Sequence, residues 1–171
     1  TTKNYWELPK YQPISFTKQS TKELIDKLYY LLNQSIEQQL YADVDVGVLL
    51  SGGVDSSIVT AIASKHKTNL KTFTATFADK SHDESNYAKL ISDYFGTQHY
   101  ELKIPKPSIE IIDILSKQYD EPIADSSMIP TFLITKLLRE HCKVALGGDG
   151  ADELFGGYDH YKKAHEIQSF L

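Results

Sequence analysis

At 171 residues, with 41% hydrophobic and 24% charged side chains, the chain has the size and composition of one globular domain, or most of one, around a single core. Its formal net charge of −5 argues against a general nucleic-acid or membrane surface, and no apolar run approaches the ~20 residues that a membrane-spanning helix needs. A single cysteine, Cys142, forbids an intrachain disulfide and points to a reducing, cytoplasmic setting. The opening residues Thr1 to Trp6 are polar and aromatic and show no secretory leader pattern.

Residues 1–19 carry Pro9 and Pro13 among scattered aromatics and read as an extended lead-in. Ser20-Thr21-Lys22-Glu23 has the pattern of a capping box. Behind it Leu24, Leu28, Leu31, Leu32, Ile36 and Leu40 recur at helical spacing, which predicts a helix over about 21–41. Val46-Gly47-Val48-Leu49-Leu50 is apolar at nearly every position and reads as a central parallel strand buried on both faces.

That strand runs into Ser51-Gly52-Gly53-Val54-Asp55-Ser56-Ser57 and then into the helical pattern of Ile58 to Ala63. Gly52 and Gly53 let the backbone approach a ligand closely. Ser56 and Ser57 sit where hydroxyls and free N–H groups at a helix start can hold phosphate oxygens. No Gly-Lys-Ser/Thr follows, so this is not a Walker A loop. Asp55 stands where the anion would bind. A bare carboxylate repels a polyphosphate, and a bridging Mg2+ reverses the sign, so Asp55 reads as a ligand to the metal or to its water.

Leu70 to Phe77, rich in β-branched and aromatic residues, predicts a second strand. Ser81-His82-Asp83-Glu84 is another capping-box pattern. The helix behind it presents Ala88, Leu90, Ile91, Tyr94 and Phe95 and ends at Gly96. Gln98 to Ile104 alternates as a third strand, and Pro107 starts a helix carrying Ile109, Ile111, Ile112, Ile114 and Leu115. Asp120 to Ser127 is a polar loop, Met128 to His141 is helical, and Lys143 to Leu146 is a fourth strand, with Cys142 beside it as a core residue. It ends in Gly147-Gly148-Asp149-Gly150-Ala151-Asp152-Glu153; Phe155-Gly156-Gly157-Tyr158 then breaks the chain before a last polar helix.

Strands alternating with helices imply an α/β fold with a mostly parallel sheet, whose ligands bind beyond the carboxyl ends of the strands. Two of the four predicted strands end there in glycine-acid loops, placed to face one another across one crevice. Asp149 and Asp152 are three apart where a helix opens, so both can face one site. A metal held by Asp55 and one of these acids would neutralise a bound polyphosphate. Glu153, next to Asp152, is expected to point elsewhere. Asp120, Glu121 and Asp125 suit either the amino group of a substrate or the cap of the helix at Met128. His99 reads as structural, and Lys162-Lys163 as a solvated helix face.

Ser51-Gly52-Gly53-Val54-Asp55-Ser56 resembles the PP-loop of the N-type ATP pyrophosphatases, which cut ATP between the α and β phosphates. The order of Ser51–Ser57, Asp120-Glu121-Pro122 with Asp125-Ser126-Ser127, and Gly148 to Tyr158 resembles the asparagine synthase family, with Asp83-Glu84 and Gly96-Thr97-Gln98-His99 as intermediate signatures. Tyr5-Trp6 and Pro9 resemble its linker from an amino-terminal glutaminase domain. The resemblance covers the chain from about Tyr5 onward.

It implies a three-layer sandwich around a parallel sheet, the adenine nucleotide alpha hydrolase-like fold of PP-loop ATPases, incomplete at its carboxyl end. Residues 1–19 would be the linker and residues 20–171 the ATP-binding domain. It implies ATP and Mg2+ as cofactors and a ligase chemistry. ATP adenylates a carboxylate, usually the side chain of aspartate, and ammonia drawn from glutamine then gives asparagine and AMP. Leu49 and Ala75 would line the adenine pocket. Ser51, Gly52, Gly53, Asp55 and Ser56 would hold pyrophosphate, Gly147 and Gly148 would approach the ribose or α-phosphate, and Asp55 and Asp152 would bind Mg2+. Asp149 occupies the position of a family acid thought to help form the amide.

The chain departs from the family pattern in three ways. No glutaminase domain or amino-terminal cysteine is present, which leads us to expect such a domain as a partner in a longer chain. A later family lysine lies beyond residue 171, so the 171 residues are expected to be a portion whose own activity is in question. Gly147 stands where a Ser is common and Asp149 where a Glu is common, which leaves the acceptor open between aspartate and another carboxylate, such as a polysaccharide-linked acid. A nucleotide-binding fragment without activity, and a homodimer, also stay open. A tRNA-acting PP-loop enzyme is disfavoured by the acidic charge and the lack of zinc-like cysteines.

Overall fold

The computed structural model describes residues 2–7, 18–78 and 83–168. Pro9 and Pro13 of the expected lead-in, and Ser81-His82 of the second capping box, lie outside the described residues. The elements run α1 (Lys18–Leu40), β1 (Val46–Leu49), α2 (Val54–His66), β2 (Lys71–Thr76), α3 (Ser85–Phe95), β3 (Gln98–Lys103), α4 (Glu110–Gln118), α5 (Met128–Leu138), β4 (Val144–Leu146), α6 (Ala151–Phe155) and α7 (Asp159–Gln168). The four strands form one sheet in the order β3-β2-β1-β4. Every pairing is parallel, with Val48 beside Thr72 and Leu146, and Phe73 beside Tyr100. β1 is therefore an interior strand, as its unbroken apolar run predicts.

Helices cover both faces. On one, Ile36 of α1 and Ile62 and Ala63 of α2 pack on Val46, Val48, Leu70 and Leu146. On the other, Leu138 and Cys142 pack on Phe73 and Leu102, with Leu49, Tyr100, Ile104 and Ala145 around them. α4 closes over α5 through Ile111, Leu115 and Leu133. Each such large apolar side chain contributes about 1.5–3 kcal/mol by leaving water. This is the three-layer α/β arrangement expected from the sequence. Gly47 explains the one gap in the β1 run: a β-carbon there would overlap the Phe73 ring and stand 3.2 Å from the Lys71 carbonyl. Among the described residues no helix is long and apolar enough to cross a membrane.

Several local expectations change. α1 begins at Lys18, so Ser20 to Glu23 lies inside the helix and not at its start. The helix touches the core only through its second half: Ile36 is buried, whereas Leu24, Leu28 and Leu31 are exposed. On α3, Leu90 and Tyr94 face solvent and Ser92 is buried instead. The Ser92 hydroxyl satisfies itself on Thr97 Oγ1 at 2.8 Å. α4 starts at Glu110, three residues after Pro107, and Ile109 is exposed. Gly96 does end α3, in the left-handed conformation with φ of 63°.

Candidate active site

β1 and β4 are adjacent and parallel, so the loops that follow them leave the same edge of the sheet side by side. They meet over a cavity of about 680 Å³ at the carboxyl ends of the strands. The contact between loops is close. A β-carbon at Gly148 would stand 3.0 Å from Asp55 Cβ and 3.2 Å from the Ser56 amide nitrogen. Gly148 thus lets the second loop lie directly on the start of α2.

The first loop is organised by hydroxyls. Buried Ser56 lies 2.9 Å from Ser51 Oγ through its own Oγ, which also accepts from the Ser51 amide at 3.2 Å. The Gly53 amide donates to Ser51 Oγ at 3.2 Å, and Ser57 Oγ donates to the Gly53 carbonyl at 2.6 Å. Gly53 caps α2 without help from a side chain. The first amides of any α-helix have no partner within it, which makes the mouth of α2 suited to an anion. Gly52 has φ of 88°, and a β-carbon there would come within 2.6 Å of Tyr87 Cβ and 2.8 Å of the Ala88 nitrogen. It packs the loop against α3 and is absent from the cavity lining.

The second loop is organised by glycines and acids. Gly150 is left-handed, with φ of 87°, and opens the five-residue helix α6; Gly156 is left-handed, with φ of 70°, and closes it. A β-carbon at Gly147 would meet Asp149 Oδ2, and one at Gly157 would meet Asp152 Oδ1. Tyr158 then returns to donate its hydroxyl proton to Glu153 Oε1 at 2.8 Å. That hydrogen bond, with smaller contributions from burial and from the charges of Glu153 and Asp152, pushes the phenol up to about 12.

Of the residues anticipated from sequence, Leu49, Ser51, Gly53, Asp55, Ser56, Ala75, Gly147, Gly148, Asp149 and Asp152 all line the cavity. Asp125 reaches it too and accepts from the Ser127 amide at 2.8 Å, which holds its carboxyl below the usual range. Asp120 and Glu121 do not reach it. Glu153, expected to point away, also borders it, because the turn after α6 brings Tyr158 back. Glu84, Ser127 and Tyr158, which belong to the quoted motifs without an assigned role, also line it, and Phe73, Thr74, Phe77 and Ile134 were not anticipated there. The usable signal for Thr74 and Phe77 was their place at the carboxyl end of β2. His99 is structural: Nδ1 bonds Thr72 Oγ1 at 3.0 Å, and burial, then the charge of Lys89, push its pKa down.

Chemically the cavity has an apolar wall of Leu49, Phe73, Ala75 and Ile134 and a hydroxyl-lined loop. Its carboxylates are Asp55, Glu84, Asp125, Asp149, Asp152 and Glu153, and no lysine, arginine or histidine lines it among the described residues. No group of three or more His, Cys, Asp or Glu is arranged to hold a metal by itself among those residues. Mg2+ characteristically takes one or two carboxylates plus substrate phosphates and water. Asp55 and Asp152 both line the cavity beside the hydroxyl-lined loop, and two carboxylates are the donor set that suits a metal arriving with a nucleotide.

A family profile described as asparagine synthase matches residues 27–170. The "putative asparagine synthetase (glutamine-hydrolyzing) 2" of Methanocaldococcus jannaschii is 41% identical over 157 residues, 90% of this chain and 30% of that protein. Asparagine synthetase (glutamine-hydrolyzing) 1 of Bacillus subtilis is 34% identical over 150 residues, 87% of this chain and 23% of that protein. The chain thus spans less than a third of either relative. Among solved structures, the NH3-dependent NAD synthetase of Campylobacter jejuni superposes with a TM-score of 0.52 at 18% identity, covering 78% of this chain and 60% of that one. The NMN synthetase of Francisella tularensis superposes with a TM-score of 0.51 at 20% identity, covering 84% and 59%. At that identity the likeness concerns the fold alone, a parallel sheet between helices shared with these two synthetases.

Proposed function

Because the chain belongs to the asparagine synthase family, we propose that it forms the ATP-binding part of an ATP-dependent, amide-forming ligase. The observation that supports this most is the meeting of two glycine-acid loops over one cavity, at the ends of adjacent parallel strands and at the mouth of α2. In this reading adenine lies on the wall of Leu49 and Ala75. Pyrophosphate lies at Ser51, Gly53 and Ser56, and Gly147 and Gly148 flank the ribose and α-phosphate. Asp55 and Asp152 would hold Mg2+, which when bound offsets the charge of the polyphosphate.

The acceptor carboxylate oxygen attacks the α-phosphorus, and the bond to the β-phosphate oxygen breaks, releasing pyrophosphate. Ammonia then attacks the acyl carbon; the bond to AMP breaks and one proton leaves the nitrogen. Asp149 is the residue we assign to that proton. Aspartate is the acceptor suggested by the family, and glutamine hydrolysed in a separate glutaminase domain is the proposed source of ammonia. Gly52 acts indirectly in this scheme, seating the loop on α3.

Exchange of labelled pyrophosphate into ATP tests this reading. Exchange that depends on aspartate supports it. Exchange with another carboxylic acid and none with aspartate keeps the ligase and replaces the acceptor. Failure of the chain to bind Mg·ATP at all overturns it.

A further inference from the structure

The glycines around the cavity acids do more than bend the chain. Asp152 is held at two levels by the turn that follows α6. Its carbonyl accepts from the Gly156 amide, and from the Gly157 amide at 3.0 Å. Its carboxylate occupies the space where a side chain at Gly157 would begin, since a β-carbon there would overlap Oδ1 and lie 2.9 Å from Cγ. Gly157, unlike Gly156, is not among the glycines with positive φ, so backbone strain does not account for it. The space beside its Cα is filled by the Asp152 carboxylate, so a side chain there would require that carboxylate to shift.

We infer that Gly157 is a positioning residue for metal-bound nucleotide: by lacking a β-carbon it seats the Asp152 carboxylate at the cavity. The inference rests on the assignment of Asp152 to Mg2+ made above. The argument is steric. Alanine at 157 would force Asp152 to leave its rotamer, because its Cα, only 3.2 Å from the new atom, is fixed by the two backbone hydrogen bonds. The carboxylate is the part free to move. A displaced first ligand weakens a metal site even when the fold is intact, and supporting residues of such sites characteristically matter by about 10–100-fold.

Calorimetric titration of the whole chain with ATP, in Mg2+ and in EDTA, tests this for wild type, Gly157→Ala, Asp152→Ala and the double variant. Gly157→Ala is expected to weaken Mg·ATP about tenfold and to leave metal-free ATP within about twofold. It should add nothing once Asp152 is already alanine. Gly96→Ala strains a left-handed turn outside the cavity lining, and is expected to lower the melting temperature without this metal-dependent loss. Equal loss in Mg2+ and EDTA, or a loss additive with that of Asp152→Ala, would overturn the positioning role. Wild-type Mg·ATP affinity in Asp152→Ala would overturn the metal assignment itself, a separate failure. Should Gly157→Ala not fold, the double variant decides: restored folding supports the steric pairing of 157 with 152, and equal loss of folding sinks it.

Discussion

The two ends of β1 handle negative charge in opposite ways. At the amino end, Asp45 pairs with Lys67 and, at 2.7 Å, with Lys71. Its carboxyl is held below the ordinary range, first by the hydrogen bond from Lys67 and then by that from Lys71. At the carboxyl end, six carboxylates line one cavity without a cationic side chain among the described lining residues. The first arrangement is complete within the protein. The second has no counter-charge among the described lining residues; in the function proposed above, Mg2+ arriving with the nucleotide would supply it.

The largest change expected from a single substitution is at the cavity end. Gly52→Ala would put a β-carbon 2.6 Å from Tyr87 Cβ at a φ of 88°, and should destabilise the chain by about 2–4 kcal/mol. Thermal or urea unfolding measures it, and an unchanged midpoint would show that the loop is not seated on α3. Asp55→Asn should weaken ATP about 100-fold in Mg2+ and little in EDTA. Equal affinities of variant and wild type for Mg·ATP would remove the contrast between the two ends.

Asp45→Ala should act on stability alone, by under about 1 kcal/mol, because the pair is partly exposed. The sign follows from the depressed carboxyl. The contribution is present above the ordinary carboxyl value of 3.8 and is lost as pH falls below it. Wild type and Asp45→Ala should therefore converge in acid unfolding near and below pH 4; a gap that widens there would contradict the pairing.

The smallest expected effect is spectroscopic. Tyr158, raised from 10.0 to about 12, should titrate late in ultraviolet absorbance, and Tyr158→Phe should remove that late component. What the raised phenol contributes to stability is present below pH 10 and is lost as pH climbs through about 12. A difference titration centred on pH 10 would show that the Glu153 contact does not persist in solution.

Much of this was legible in the chain. The strand at 46–49 was marked by its apolar run, and those at 71–76 and 98–103 by β-branched and alternating residues. Gly96 marked the end of α3. Less legible were the limits of α1, since Ser20 to Glu23 suits a helix interior as well as a start. Leu90 and Tyr94 misled because helical spacing reports periodicity, not which arc of the helix meets the sheet. Glu153 misled for another reason: α6 has only five residues, and the return of Tyr158 places that side chain.

The sequence by itself determined the α/β alternation, the two glycine-acid loops and the identity of their acids. These depend on local periodicity and on glycine, whose backbone freedom is a property of one residue. Only the tertiary structure decided that β4 lies beside β1, which brings Asp55 and Asp152 from positions nearly a hundred residues apart to one cavity. It also decided which glycines exist to turn the chain and which to leave room for a carboxylate. That distinction depends on what occupies the space beside each Cα, which the path of the folded turn sets and residue type alone does not.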